Sequence, residues 1–297
     1  MLLEARDIRD EAEVTRLLED VSAALSQLDA VRTPAAVETI ASLDQFGDRP
    51  LAVSRLAVGD AEIYLLDPAA GRVVGVTVNG ADRRVVFAED AALVRGRPLA
   101  ITTLEPPGGA RMVLVLDSRN TLWSLDAAGA TRRAFAAPAG MTVTDIAALG
   151  GRLYVLDAPA RAVYQFTFAE GGFAGAPERV LAASALSSAR YLMVGDSIVT
   201  VDAGGAVREF EGALALELSQ AGIDARLSTA EPPQSTWVPG EIAVLDPAND
   251  RVVVLGADGS FVRQYRHAAF ARVTALVISD RGSYVFSGGQ LRRITWE

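Results

Sequence analysis

Side chains able to do chemistry are few in this sequence. His267 is its only histidine, cysteine is absent, and all 28 basic residues are arginine. Thiolate nucleophiles, disulfides and sulfur-ligated zinc are excluded, as are Schiff-base chemistry and a Walker lysine. A Ser-His-Asp triad would have to use His267, yet no Gly-x-Ser-x-Gly elbow occurs anywhere. His267 follows Arg-Gln-Tyr-Arg at the end of a strand-like run and reads as a loop residue; a histidine metal site needs more than one. No catalytic residue, metal site or cofactor is expected.

Two residue types do recur at regular spacing. Aspartate ends the runs Glu-Ile-Tyr-Leu-Leu-Asp67, Met-Val-Leu-Val-Leu-Asp117, Leu-Tyr-Val-Leu-Asp157, Ser-Ile-Val-Thr-Val-Asp202 and Glu-Ile-Ala-Val-Leu-Asp246, with Ser287 at the end of a sixth, Ser-Tyr-Val-Phe-Ser. A ring of carboxylates suggests metal ligation. A short side chain at this place also accepts hydrogen bonds from the N–H groups of the following turn, equally well in every repeat, and that reading is preferred. Arg49, Arg97, Arg190, Arg226 and Arg272 each precede a further apolar run, with Met141 at the matching place in the third repeat. These arginines would form a positive collar suited to a carboxylate, a phosphate or an acidic segment. The alternative, which the sequence favours, is local pairing of Arg97 with Asp117 and of Arg226 with Asp246. Trp237, in the proline-rich stretch 231–240, reads as a loop residue that either anchors a contact or is buried.

The elements that would position these residues are short strands. The intervals between the run ends are 50, 40, 45, 44 and 41 residues. A period in the forties with about four short strands per unit is the signature of propeller blades, and six copies predict an all-β, six-bladed β-propeller. The first unit reads as strands 51–58, 62–66, 72–78 and 83–88, punctuated by Gly59, Gly71 and Asn79-Gly80. The last unit offers three strands, so residues 36–42 are expected to supply its fourth and close the ring. A helix starting at Thr33-Pro34 is the competing reading of that stretch. Residues 2–32 read as a helix, because Val14, Leu18, Val21, Leu25 and Leu28 share one face. The expected organisation is a helical segment over 1–35 and a propeller over 36–297.

The chain has 297 residues, half of them hydrophobic, which is ample for a core. No run of about 18 apolar residues and no basic stretch followed by an apolar core occurs, so neither a transmembrane helix nor a signal peptide is expected and the chain reads as soluble. The compartment stays open, and a fragment of a membrane-anchored protein is one alternative. A net charge of −9 disfavours nucleic acid as a partner.

Through the Tyr/Ile-x-Val/Leu-Leu-Asp unit at 63–67, 153–157 and 242–246, the chain resembles six-bladed propellers of the NHL and TolB-like type. It departs from the NHL consensus in most blades; only Asp-Pro-Ala-Asn-Asp-Arg (246–251) comes near the Asp-x-x-Asn-x-Arg run. The resemblance implies a binding module, as in the sensor or scaffold regions of bacterial signalling proteins, with a protein or a small anionic ligand as partner. The enzymatic alternative is a calcium-dependent lactonase, whose propellers bind the metal with Glu, Asn and Asp around the channel. Asn79, Asn120 and Asn249 all fall in expected turns, and Asp145 is the one acid placed inside an innermost strand, too few donors for calcium.

Overall fold

Each repeat contains a strand that is apolar at consecutive positions, which is what burial on both faces requires. Glu62–Asp67 is the pattern case, with all six residues buried. Ile63 and Leu65 pack toward one neighbouring blade, where they meet Tyr284 and Phe286. Tyr64 and Leu66 face the other way and meet Val113, Val115 and Trp123. The computed structural model describes residues 15–17, 21, 30–44, 46–106, 109–126, 129–135, 137–169, 172–173, 175–217, 234–238, 241–256 and 259–296.

Among the described residues six sheets result, each with a four-stranded antiparallel blade. Blade one is Arg55–Val58, Glu62–Asp67, Arg72–Thr77 and Arg83–Ala88, written from the axis outward. The innermost strands of blades two to six are Pro98–Leu104, Asp145–Leu149, Ala189–Val194, Gln234–Val238 and Val273–Ser279. Apolar clusters fill the junctions of blades six and one, one and two, two and three, three and four, four and five, and five and six, so the ring is continuous. The fourth strand of blade six is Ala36–Ser42, antiparallel to Gln290–Thr295, with Ala36 opposite Thr295 and Ser42 opposite Gln290. The residues after Thr33-Pro34 are therefore extended.

The helix expected over 2–32 is not supported. Thr15, Arg16, Leu17 and Val21 are helical, but most of that stretch lies outside the described residues. Its last residues depart from the expectation: Val31–Arg32 is a strand, parallel to the outer strand Phe261–Arg266 of blade five. The edge of that strand offers unpaired backbone groups, and Gln264 N–H donates to Ala30 O at 2.8 Å. Blade two is extended in the same way by Gly172–Phe173, parallel to Gly129–Phe135. Among the described residues no helix is long and apolar enough to cross a membrane.

Candidate functional site

The innermost strands surround a channel, and the two ends of those strands define two rims. The cavity on the axis is about 220 Å³, and residues of the innermost strands of blades one, two, three, four and six line it. Its charged groups are consumed by one another. Arg55 and Asp145 open the innermost strands of blades one and three, and ring closure brings them together: Arg55 Nη2 donates to Asp145 Oδ2 at 2.7 Å. Leu192 N–H of blade four donates to the same oxygen at 2.8 Å. The Arg55 guanidinium lies 5.3 Å from the centre of the Tyr191 ring. Burial pushes the Asp145 carboxyl above its ordinary value, against the opposing pull of Arg55 and the Leu192 N–H. The Tyr191 hydroxyl is also raised, chiefly by burial.

At the opposite mouth the buried guanidinium of Arg111 is shared between Glu105 of blade two and Asp280 of blade six, the latter at 2.8 Å. Its hydrogen bond to Arg111 holds the Asp280 carboxyl below the usual range. Arg281 stands 3.8 Å from both Asp60 and Asp280. Ion pairs thus span the channel near both ends.

The rim near Arg55 and Asp145 carries the repeated aspartates, and each is spent on its own turn. Asp117 accepts from the backbone N–H groups of Gly96, Arg119 and Thr121 and from Trp123 Nε1, all at 2.9–3.0 Å. Asp157 accepts from Thr142 N–H at 3.1 Å and Ala160 N–H at 3.0 Å. Asp67, Asp202 and Asp246 each take an arginine from the third strand: Arg72 at 3.1 Å, Arg208 at 2.6 Å and Arg251 at 2.9 Å. Arg251 and Asp246 are wholly buried. For Asp202, burial raises the carboxyl, but Arg208 and the N–H groups of Ala206 and Gly204 outweigh it and hold it low. In blade six Ser287 Oγ donates to Ala271 O at 2.6 Å.

The residues expected to form the collar are placed as follows. Arg49, Arg97, Arg190 and Arg272 are exposed on the aspartate rim, and Arg226 lies outside the described residues. Arg97 stands 3.6 Å from Glu89 and not on Asp117, whose oxygens are already occupied. Among the described residues no carboxylate is within ion-pair distance of Arg49, Arg190 or Arg272. Trp237 is not in a loop: Gln234–Val238 is the innermost strand of blade five, with Trp237 opposite Ile242. Prolines on both sides hide this strand in the sequence. His267 Nδ1 accepts from Ala269 N–H at 2.9 Å and caps a short turn. Asn79, Asn120 and Asn249 hydrogen-bond within or beside outer turns.

Sequence reasoning missed Arg55, whose partner lies 90 residues away, and the third-strand arginines. The latter left a signal in the Asp-x-x-x-x-Arg spacing at 67/72 and 246/251. Calcium would need six to eight oxygen ligands. Asp145 is committed to Arg55, and among the described residues no group of three or more His, Cys, Asp or Glu side chains could hold a metal ion. These residues do not fit a calcium centre.

No protein-family model matches the chain, and no curated protein matches it either. Solved structures do. A gluconolactonase from Xanthomonas campestris superposes with a TM-score of 0.57 at 13% identity, covering 89% of this chain and 97% of that one. Virginiamycin B lyase from Staphylococcus aureus gives 0.53 at 13% identity, over 82% and 80%. A streptogramin B lyase gives 0.53 at 8% identity, over 88% and 98%. At these identities the likeness is one of fold: the chain is a six-bladed β-propeller.

Proposed function

We propose that this propeller is a non-catalytic module that receives an anionic ligand or an acidic partner segment on its aspartate rim. The observation that carries the reading is the contrast between two sets of arginines. Arg55 and Arg111 in the channel are neutralised by carboxylates, whereas Arg49, Arg190 and Arg272 stand exposed with no described carboxylate in ion-pair distance, on a chain of net charge −9. Exposed guanidinium groups retain bidentate donors for carboxylate or phosphate. On this reading the chain is a propeller of the NHL and TolB-like type, the sensor or scaffold portion of a bacterial signalling protein, as its repeated unit implies. On this reading the net charge of −9 also disfavours nucleic acid as a partner.

The test compares Arg49→Ala/Arg272→Ala with Arg97→Ala/Arg226→Ala on a panel of acidic peptides. The first pair should weaken binding with little change in melting temperature. Loss of the exposed Arg97–Glu89 pair in the second should change stability by at most about 1 kcal/mol. Equal binding by both double mutants and the parent would leave the collar a structural repeat.

The same reading predicts no hydrolysis of simple lactones or esters, with or without added calcium, because among the described residues the channel has no free carboxylate pair and the single histidine caps a turn. Turnover that rises saturably with added calcium would overturn it.

A further inference from the structure

Resting on the proposed function, and adding to it a second place on the same rim, we infer that the groove between blades three and four is a binding site for an oxyanion group, phosphate or carboxylate, of a small molecule. The groove is about 600 Å³, and Thr142, Thr144, Arg161, Ser187, Arg190 and Tyr191 supply its polar lining. Among the described residues no aspartate or glutamate lines it, on a chain with 37 of them. Its volume lies within the range of small-molecule sites. Thr144 Oγ1 accepts from Ala158 N–H, which leaves its proton free to be donated into the groove.

Arg161 supplies an independent observation. In blades one to five the turn after the second strand holds one residue with positive φ, and outside blade three that residue is Gly71, Asn120, Gly205 or Asp250. Glycine, asparagine and aspartate tolerate this region; a long side chain is strained there. Blade three places Arg161 there, at φ 56°. The arginine is also one residue out of the pairing register. Arg72 stands opposite Asp67 and Arg251 opposite Asp246, but Ala162 stands opposite Asp157. The shift takes the guanidinium away from the aspartate, which backbone N–H groups satisfy instead, and leaves it exposed at the groove beside Arg190. Strain kept at a surface turn together with an unneutralised charge marks a position held for a ligand.

The experiment follows the melting temperature and calorimetric binding of the full chain with inorganic phosphate and with citrate, each against sodium chloride at equal ionic strength. The parent should respond saturably to at least one probe, and the responding probe identifies the oxyanion. Arg161→Gly and Arg190→Gln should each weaken binding about tenfold. Arg161→Gly should melt at or above the parent temperature, since glycine takes positive φ freely. Arg132→Gln, on the outer strand of blade two, should bind as the parent does. A parent response no larger than that to chloride, unchanged affinity in Arg161→Gly and Arg190→Gln, or equal loss in Arg132→Gln overturns the inference. If acidic peptides bind through Arg49 and Arg272 while both probes are ignored, the groove falls and the wider rim reading stands; binding of neither kind removes both.

Discussion

Asp145→Leu is expected to lower the free energy of unfolding by about 3–5 kcal/mol, and Arg55→Leu by a similar amount, because each leaves a buried or half-buried charge without its partner. The double variant Arg55→Leu/Asp145→Leu should cost far less than the sum. What remains is the Leu192 N–H left without its acceptor, about 1–3 kcal/mol. Urea denaturation of the four proteins measures this cycle, and additive losses would show that the pair does not act as a unit. The pH dependence follows from the direction of the shift. The folded Asp145 carboxyl lies above its ordinary value of 3.8, so the stability it contributes is fully present below 3.8 and is lost as pH rises through the folded value. Removing Arg55 takes away the chief opposing influence and raises the carboxyl further. Relative to the parent, Arg55→Leu should therefore recover stability as pH falls from about 7 toward 4. A loss that is the same across that range would contradict the burial argument.

Deleting the chain up to Ser42 is expected to abolish the monomer. The outer strand Ala36–Ser42 covers the edge of Gln290–Thr295, and Ile40 and Val37 pack against the junctions of blade six with its two neighbours. The loss is on the order of 3 kcal/mol or more from apolar burial, and it leaves an open strand edge that invites association. Size-exclusion chromatography and thermal melting check the outcome. A synthetic peptide of residues 30–44 added in trans should restore the monomer by strand addition. A truncated protein that is monomeric with an unchanged melting temperature would show that this strand does not close the ring.

The ring was legible because its cause is local. Each second strand must be apolar on both faces and must end where the turn needs an acceptor, so Asp67, Asp117, Asp157, Asp202 and Asp246 mark the blades by themselves. The innermost strand of blade five was hidden because Pro233 and Pro239 flank it, although Trp237 and Val238 fit a strand. The expected pairing of Arg97 with Asp117 failed for a countable reason: Gly96, Arg119, Thr121 and Trp123 already use both carboxylate oxygens. The Arg55–Asp145 pair could not be read at all, since these residues lie on non-neighbouring blades and meet only across the axis of a closed ring. Arg161 carried a readable sign, an arginine where the other turns place glycine, asparagine or aspartate.

The pairing of Ala36 with Thr295 joins residues about 260 positions apart in sequence. On the ribosome, at about 5–20 residues per second, the closing strand therefore waits roughly 13–50 s for its partner to be made. Throughout that interval the strand Ala36–Ser42 lacks the strand Gln290–Thr295 with which it pairs. The sheets of blades one to five can form in order as they emerge, while the earliest-made strand of the ring is among the last to be placed. Until that strand is placed, the edge of blade six is open to pairing with another chain.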